Sequence, residues 1–308
     1  MNERIHDNEP DTSEPIVRAL LAAECPQWAT APAHYLQTSG TDNAMWRLDL
    51  GSERDVVMRL PRRLDSAAGV EQEVAVLRRV EQLGVPTPSV RHVGAVSDVF
   101  PHRWSVLGWI DGTDAWIAKD ELSSAMEAND LASDLATAVR SIGAVTDIAV
   151  QPRSPGGRGG PLGPLIDELH RWLDEPGAAD RIDVGAVFRL TDQARELVDE
   201  PVTEGFVHGD LIPGNLLVAG GRLRAIIDWG GAGWGDPAQD LAPAWAVLDA
   251  EERLVFKEMV DVDEAAWIRG RTFELEHAIG GVLYYEPKRH VLGDIMARTL
   301  DRILAEAP

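Results

Sequence analysis

The sequence has very little cysteine. Cys25 is its one cysteine, so an intrachain disulfide is excluded and the protein does not depend on an oxidising compartment. Nothing around Cys25 forms the setting of a nucleophile, which predicts a small side chain buried in the core. The first fourteen residues lack the apolar segment of a signal peptide, and the later apolar runs are too short to span a bilayer. We therefore expect a cytoplasmic protein with no membrane partner.

Positive charge is also scarce. The chain carries 29 lysines and arginines against 51 aspartates and glutamates, which gives a net charge of −22. An excess of negative charge opposes binding to a polyanion, so nucleic acid is not an expected partner. A cationic small molecule suits this charge, although solubility alone explains the acidity equally well.

The chain is long and apolar enough to bury a large core. Its 308 residues are 44% hydrophobic, which predicts a two-lobed protein. Patterning indicates a flexible tail over residues 1–14 and a first lobe over 15–108, with a short helix, antiparallel strands and one main helix. Longer helical patterns mark a second lobe over 109–308. Within it, the glycine- and proline-rich residues 152–164 predict a surface loop.

One stretch of the second lobe interrupts its apolar character with polar residues. It reads FVHGDLIPGNLLV and is followed by AGGRLRAIIDW. Gly220 and Gly221 accept the positive φ of a two-residue turn, so the two apolar runs form a predicted β-hairpin. With that turn, Asn215 would lie opposite Ile226.

The predicted hairpin gathers three oxygen-bearing side chains, Asp210, Asn215 and Asp228, at its open end. Two carboxylates and an amide are hard ligands suited to Mg²⁺, which points to phosphoryl transfer. Asp210 would then orient an attacking hydroxyl. Two plainer interpretations stay open: a turn with a core histidine, and a metal-dependent hydrolase that uses His208 and Asp210 but lacks a second histidine pair.

Three motifs in this order, VVMRLPRR, HGDLIPGN and IIDWGGAGWGDPAQDLAPAW, resemble the aminoglycoside phosphotransferase family. That family shares the protein-kinase-like fold and includes macrolide phosphotransferases and choline-type kinases. The resemblance implies an α+β bilobal fold. Its small N-lobe would be an antiparallel β-sheet with one main helix, and its larger, mostly helical C-lobe would carry the catalytic hairpin.

The resemblance also implies roles for individual residues. Asp210 corresponds to the catalytic base, Asn215 and Asp228 to Mg²⁺ ligands, and His208 to a support of the catalytic loop. Asp236 and Asp240 correspond to an acidic pair for which we expect a structural role. The implied nucleotide contacts are Ser39, Gly40, Thr41 and Asn43 in a phosphate-covering loop, Arg59 with Glu73 on the following strand and helix, and Gly108, Trp109 and Ile110 around the base.

Two positions depart from the kinase pattern. Arg59 replaces the usual strand lysine, and it keeps the positive charge and can bind phosphate in a bidentate way. Its expected partner is Glu73, with Glu71 as the alternative. Gly209 replaces the arginine that reads a phosphorylated activation loop in many protein kinases, so such control is not expected.

The implied function is Mg²⁺-dependent transfer of the γ-phosphate of ATP or GTP to a hydroxyl of an aminoglycoside, macrolide or similar antibiotic. A metabolic kinase of a small amino alcohol or sugar is one alternative. A nucleotide-binding pseudokinase is another: Arg59 in place of lysine favours it, whereas the intact set Asp210, Asn215 and Asp228 argues against it. Candidate acceptor contacts, each also explained by ordinary helix packing, are Trp267, Glu274, Glu276, His277, Tyr284 and Tyr285.

Overall fold

The computed structural model describes residues 9–37, 42–51, 54–120, 125–150 and 160–307. The chain divides into two compact units between Asp111 and Gly112. No helix in the described part of the chain is both long and apolar enough to cross a membrane.

The first unit is an antiparallel sheet with two helices. Its elements are α1 (Glu14–Glu24), β1 (Ala33–Leu36), β2 (Asn43–Leu48), β3 (Val56–Pro61), α2 (Leu64–Gln82), β4 (Val90–Gly94) and β5 (Trp104–Gly108). The five strands lie in the order β1-β2-β3-β5-β4, and each neighbouring pair is antiparallel. The predicted antiparallel sheet with one main helix, α2, is therefore confirmed, with α1 as a further helix.

The core of this unit lies between α1 and one face of the sheet. Burial alternates along β2, so that Ala44, Trp46 and Leu48 are buried while the intervening residues are partly exposed. These side chains join Leu20 and Leu21 of α1 in one apolar cluster. Burial of this cluster is the main stabilisation of the first unit.

The prediction of a flexible tail over residues 1–14 is wrong for its last part. Glu9 and Thr12 are 7% and 4% exposed. The Thr12 carbonyl accepts a hydrogen bond from the indole N–H of Trp46 at 3.1 Å, and Glu9 pairs with Arg62. The error arises because these partners are far away in sequence, so a local polar stretch carries no sign of them.

Cys25 is buried at the C-terminal end of α1, as predicted. Burial, with a smaller contribution from the neighbouring Glu24 carboxylate, raises the pKa of its thiol to about 11. Since a free thiol has a pKa of about 8.5, the thiolate fraction at pH 8 falls by more than about a hundredfold. We expect the folded protein to react with a disulfide reagent at least that much more slowly than the urea-unfolded protein, followed by absorbance. Equal rates in the two states would show that the thiol is accessible.

The second unit is mostly helical, as predicted. Its elements are β6 (Thr113–Asp114), α3 (Ala115–Asp120), α4 (Ala125–Gly143), α5 (Leu162–Leu173), α6 (Val184–Arg195), β7 (Gly205–Val207), β8 (Leu216–Ala219), β9 (Arg222–Ile226), β10 (Gly233–Gly235), α7 (Pro243–Ala246), α8 (Ala250–Val260), α9 (Glu264–Tyr285) and α10 (Val291–Leu304). One small sheet has the order β6-β8-β9, and β7 pairs with β10. The hairpin β8–β9 is thus set among helices.

The loop predicted over residues 152–164 ends earlier than expected. Residues 151–159 lie outside the described part, but α5 already begins at Leu162. Gly163 and Pro164 therefore lie in its first turn. Proline is tolerated there because the first N–H groups of a helix have no partner within the helix.

Candidate active site

The segment between β7 and β8 is built around a buried histidine. His208 is fully buried and packs edge-on against Trp229, with ring centroids 4.6 Å apart. Its Nδ1 accepts a hydrogen bond from the Asp210 N–H at 3.2 Å, and its Nε2 lies 3.1 Å from the carbonyl oxygen of Ile227. These two partners define a neutral tautomer that donates from Nε2. His208 therefore supports the loop and does not present a nitrogen to solvent.

A buried carboxylate fixes the backbone of the same loop. Asp240 is 2% exposed, and its two oxygens accept hydrogen bonds from the N–H groups of His208 at 2.8 Å and of Gly209 at 2.7 Å. Gly209 has φ +75°, a conformation that side-chain-bearing residues rarely adopt. Asp240 thus holds a tight turn immediately before Asp210.

Asp236 is also structural. It caps the 3-10 helix Pro237–Leu241 by accepting from the N–H of Ala238 at 2.9 Å, and it pairs with Arg269 of α9 at 2.8 Å. The contacts of Asp236 and Asp240 are therefore structural, as expected.

Asp210 and Asn215 are in direct contact. The Asn215 side-chain nitrogen donates to the Asp210 carbonyl at 2.9 Å and to Asp210 Oδ2 at 3.0 Å. Asn215 ends the 3-10 turn Pro213–Asn215 that leads into β8. The amide therefore orients the Asp210 carboxylate and leaves its own Oδ1 as the atom it can offer to a cation.

The hairpin register differs by one residue from the prediction. The pairs next to the glycine turn are as expected, but further out Leu216, and not Asn215, lies opposite Ile226. Arg224 is an extra residue in β9, which forms a β-bulge and shifts the pairing beyond it. A bulge has no strong local sequence signal, so the turn alone could not reveal it.

Asp228 still lies at the same end of the hairpin as Asn215. The Asn215 carbonyl accepts from the Ile227 N–H at 2.9 Å, and Asp228 follows directly. Asp228 is exposed and has a left-handed backbone, φ 64° and ψ 64°. Aspartate tolerates this conformation better than most residues.

In the first unit, Arg59 forms an ion pair with Glu73. Arg59 lies on β3 and Glu73 on α2, and their side chains are only 12% and 9% exposed. Glu71 instead pairs with Arg103 at 2.7 Å. The structure therefore selects Glu73 from the two candidates as the partner of Arg59.

The other residues predicted to contact nucleotide belong to two stretches of the sequence, 39–43 and 108–110. Ser39, Gly40 and Thr41 lie outside the described residues, whereas Asn43 begins β2 opposite Pro61.

The segment predicted to contact the base follows β5. The Gly108 N–H donates to the Ser89 carbonyl at 2.8 Å, and the Trp109 N–H donates to the Asp55 carbonyl at 2.9 Å. Both donors are therefore engaged within the first unit. Of the three predicted residues, Ile110 is the one whose N–H has no backbone acceptor in the described part of the chain.

A small pocket beside Asp210 brings in residues from α9. It is lined by Gly209, Asp210, Leu211, Ile212, Gln239, Ala242, Phe273, Glu274 and His277. Glu274 is 4% exposed, and its Oε2 lies 3.4 Å from His277 Nδ1. Its Oε1 is buried and has no hydrogen-bond partner among the described residues. A buried carboxylate oxygen is costly to leave unsatisfied, so this one suits a cationic group of a ligand.

A glycine lets α9 approach the 3-10 helix Pro237–Leu241. At Gly270, a Cβ atom would come within 2.7 Å of the Ala238 carbonyl oxygen, in the 3-10 helix that also carries Asp240. Glu274 lies one helical turn later and so faces the Asp210 loop. The signal in the sequence was only an acid and a histidine at helical spacing.

The remaining acceptor candidates lie elsewhere. Trp267 is buried against Trp245, with ring centroids 4.7 Å apart, so it belongs to the core. Tyr284 is 59% exposed and contacts Lys288, and Tyr285 packs against His290. Glu276 is half-buried and does not line the pocket beside Asp210. Phe273, Gln239 and Ala242 line this pocket without having been singled out in the sequence.

The chain matches one protein family over most of its length. The chain matches the model of the phosphotransferase enzyme family over residues 37–273, more than half of its length, and it belongs to that family. It is therefore a phosphotransferase, and the resemblance seen in the motifs is confirmed. A search of curated proteins finds no match.

Solved structures share the fold at low sequence identity. The ADP-bound aminoglycoside phosphotransferase APH(2'')-Ib is 18% identical with a TM-score of 0.60, covering 95% of this chain and 97% of that chain. The GDP complex of aminoglycoside 2'-phosphotransferase-IIIa is 17% identical with a TM-score of 0.69, covering 96% and 99%. The ternary complex of a thermostable mutant of APH(4)-Ia with AMP-PNP and hygromycin B is 18% identical with a TM-score of 0.61, covering 94% and 97%. These likenesses confirm the kinase-like α+β fold.

Proposed function

We propose that this protein is a Mg²⁺-dependent kinase that transfers the γ-phosphate of ATP or GTP to a hydroxyl of a cationic small molecule, such as an aminoglycoside or another amine-bearing antibiotic. The observation that carries the proposal is the Asp210 carboxylate, oriented by Asn215 and lining the same pocket as the buried Glu274. A base for the hydroxyl and a counter-charge for an amine thus share one pocket. An amino alcohol of metabolism would also satisfy this chemistry.

Asp210 accepts the proton of the attacking hydroxyl in this proposal. Its N–H is bonded to His208 and one of its oxygens to Asn215, so the carboxylate is held in place before the acceptor arrives. Such positioning is the main contribution of the protein to phosphoryl transfer. His208 and Asp240 act on this step through the loop and do not touch the reacting atoms.

Asn215 and Asp228 are the proposed Mg²⁺ ligands. Among the described residues, no three histidine, cysteine, aspartate or glutamate side chains converge on a metal position. A site with an amide and a carboxylate from the protein fits Mg²⁺, which completes its shell with waters and phosphate oxygens. The bound cation would neutralise charge on the transferred phosphoryl group.

Arg59 is the proposed phosphate contact of the first unit. Its pairing with Glu73 holds the guanidinium in one place, and a guanidinium can bind two phosphate oxygens at once. Bound ADP, GDP and AMP-PNP in the related structures support a nucleotide donor. The hygromycin B complex among them supports an amine-bearing acceptor.

The proposal is tested by acceptor-dependent release of ADP or GDP from the purified full chain with Mg²⁺. The acceptors are kanamycin, gentamicin, hygromycin B, a macrolide, choline and an uncharged sugar, with omission of the acceptor and addition of EDTA as controls. The product mass should show one added phosphoryl group for an amine-bearing acceptor. Nucleotide binding without turnover on any acceptor would instead favour a pseudokinase.

We expect Glu274→Gln to weaken binding of the amine-bearing acceptor. The change keeps the shape and removes the negative charge, and a hydrogen bond to a charged group contributes about 1.5–3 kcal/mol, so KM should rise by about tenfold to a hundredfold. The nucleotide KM should not change, because Glu274 lies in the acceptor pocket. Steady-state kinetics with each substrate varied in turn provides the measurement.

Glu264→Gln is the matched control for this variant. Glu264 lies on the exposed start of the same helix, where it pairs with Lys257 at 2.7 Å. Its KM for the acceptor should equal that of the wild type. An unchanged acceptor KM in Glu274→Gln would exclude Glu274 from amine recognition.

A further inference from the structure

A short segment before α1 is bound to the sheet of the first unit through polar contacts. We call residues 9–13 the N-terminal strap. Glu9 and Arg62 form an ion pair at 2.9 Å in which both side chains are only 2% exposed. The carbonyl of Thr12 accepts from the Trp46 indole at 3.1 Å. The strap is therefore part of the folded unit and does not serve as a linker.

Arg62 connects the strap to three strands. It follows β3 directly, its Nη2 donates to the Tyr35 hydroxyl of β1 at 2.7 Å, and its own N–H donates to the Asp42 carbonyl at 2.8 Å, just before β2. Tyr35 is also paired across β1 and β2 with Trp46, with ring centroids 5.4 Å apart. The strap thus reaches the end of β1 and the start of β2.

Two of the proposed nucleotide contacts of the first unit, Asn43 and Arg59, lie close to these strand ends in sequence. Asp42 precedes Asn43, one of the proposed nucleotide contacts, and Arg62 lies three residues after Arg59. The side chain of Arg59 is bonded to Glu73 of α2, whereas Leu60 and Tyr35 belong to the cluster with α1. Because side chains alternate along a strand, Arg62 and Arg59 lie on opposite faces. The strap therefore contacts the end of the sheet near Asn43, and it does so on the face opposite to the one that carries Arg59.

A buried ion pair is a poor source of stability, because desolvation offsets most of the attraction, but its hydrogen bonds fix direction. Here the Arg62 guanidinium, held by Glu9, fixes the Tyr35 hydroxyl, and the backbone N–H of the same residue fixes the Asp42 carbonyl relative to β3. We propose that Glu9 is a positioning residue for nucleotide binding, acting through Arg62. This inference rests on the proposed function. Loss of the Glu9 charge leaves Arg62 buried without its counter-ion, which favours a shift of the guanidinium away from the Tyr35 hydroxyl and disturbs the backbone at Arg62 that binds the Asp42 carbonyl.

The test measures Kd for Mg·ADP and Mg·GDP by calorimetry, and it continues with whichever binds to the wild type, together with steady-state kinetics and thermal unfolding of the full chain. Glu9→Gln is expected to raise Kd for this nucleotide and KM for the donor by about tenfold, with kcat at saturating donor within twofold and an unchanged acceptor KM. Glu14→Gln is the control, since it breaks an exposed pair with Arg18 at 3.1 Å in the first turn of α1. Its Kd should equal that of the wild type.

A second variant separates positioning from stability. In Glu9→Met with Arg62→Met, apolar side chains replace the ion pair, an exchange that often preserves stability. We expect a melting temperature near that of the wild type but a Kd still raised by about tenfold. Wild-type Kd in a folded double variant, or in Glu9→Gln, would overturn the positioning role and leave the proposed function intact. Failure of the wild type itself to bind either Mg·ADP or Mg·GDP would overturn the proposed function and this inference together.

Discussion

Asp210→Asn is expected to lower turnover by about a hundredfold to ten-thousandfold, the usual contribution of a positioned general base. The amide keeps the size of the carboxylate and an oxygen to accept from Asn215 Nδ2, so the loop should keep its shape. Because the nucleotide is bound through other groups, Kd for Mg·ADP should remain close to that of the wild type. Acceptor-dependent nucleotide release and calorimetry provide the two measurements.

A matched control for this variant is Asp199→Asn. Asp199 is exposed and lies in the same unit. It should retain wild-type turnover and wild-type nucleotide affinity. Turnover by Asp210→Asn within a few-fold of the wild type would remove Asp210 from the mechanism, whatever the control does.

Asp240→Ala is expected to destabilise the second unit by about 3 kcal/mol or more. The change removes two hydrogen bonds from a charged acceptor, each worth about 1.5–3 kcal/mol, and leaves the buried N–H groups of His208 and Gly209 without it. The midpoint of urea unfolding, followed by circular dichroism, should fall. Turnover should fall as well, because Asp210 follows the turn that Asp240 holds.

Two further variants test whether the loss of stability in Asp240→Ala comes from the two hydrogen bonds of its carboxylate. Asp301→Ala removes an exposed aspartate of α10 and should leave the unfolding midpoint unchanged. Asp240→Asn keeps one oxygen acceptor but places an amide nitrogen against a backbone donor, so its midpoint should fall between those of the wild type and Asp240→Ala. An unchanged midpoint in Asp240→Ala would show that the turn holds without the carboxylate.

The local parts of the fold and site were predictable because their causes are local. Gly220 and Gly221, both with positive φ in the structure, specify the hairpin turn, and apolar residues at helical spacing specify α2. The contact between Asp210 and Asn215 is also local, since these residues are five positions apart and form a direct hydrogen bond. The segment that contains both residues, HGDLIPGN, is one of the three motifs on which the family resemblance rested.

The bulge at Arg224 could not be predicted from the local sequence. The glycine turn determined the first pairs of the hairpin, but the pairing further out depends on how β8 and β9 pack against the rest of the unit. The position of Asn215 therefore came out one residue away from the prediction, although its bond to Asp210 did not depend on the register.

The sequence by itself determined that Asp210, Asn215 and Asp228 gather at one hairpin, that two glycines form its turn, that the second unit is mostly helical, and which family the chain belongs to. The tertiary structure alone decided that Glu9 pairs with Arg62 across 53 residues, that Asp240 holds the turn before Asp210, and that Glu274 of α9 lies in the pocket with Asp210. The physical reason is that backbone propensity and side-chain periodicity act over a few residues. Ion pairs and buried carboxylates depend on which distant segments packing brings within a few ångströms.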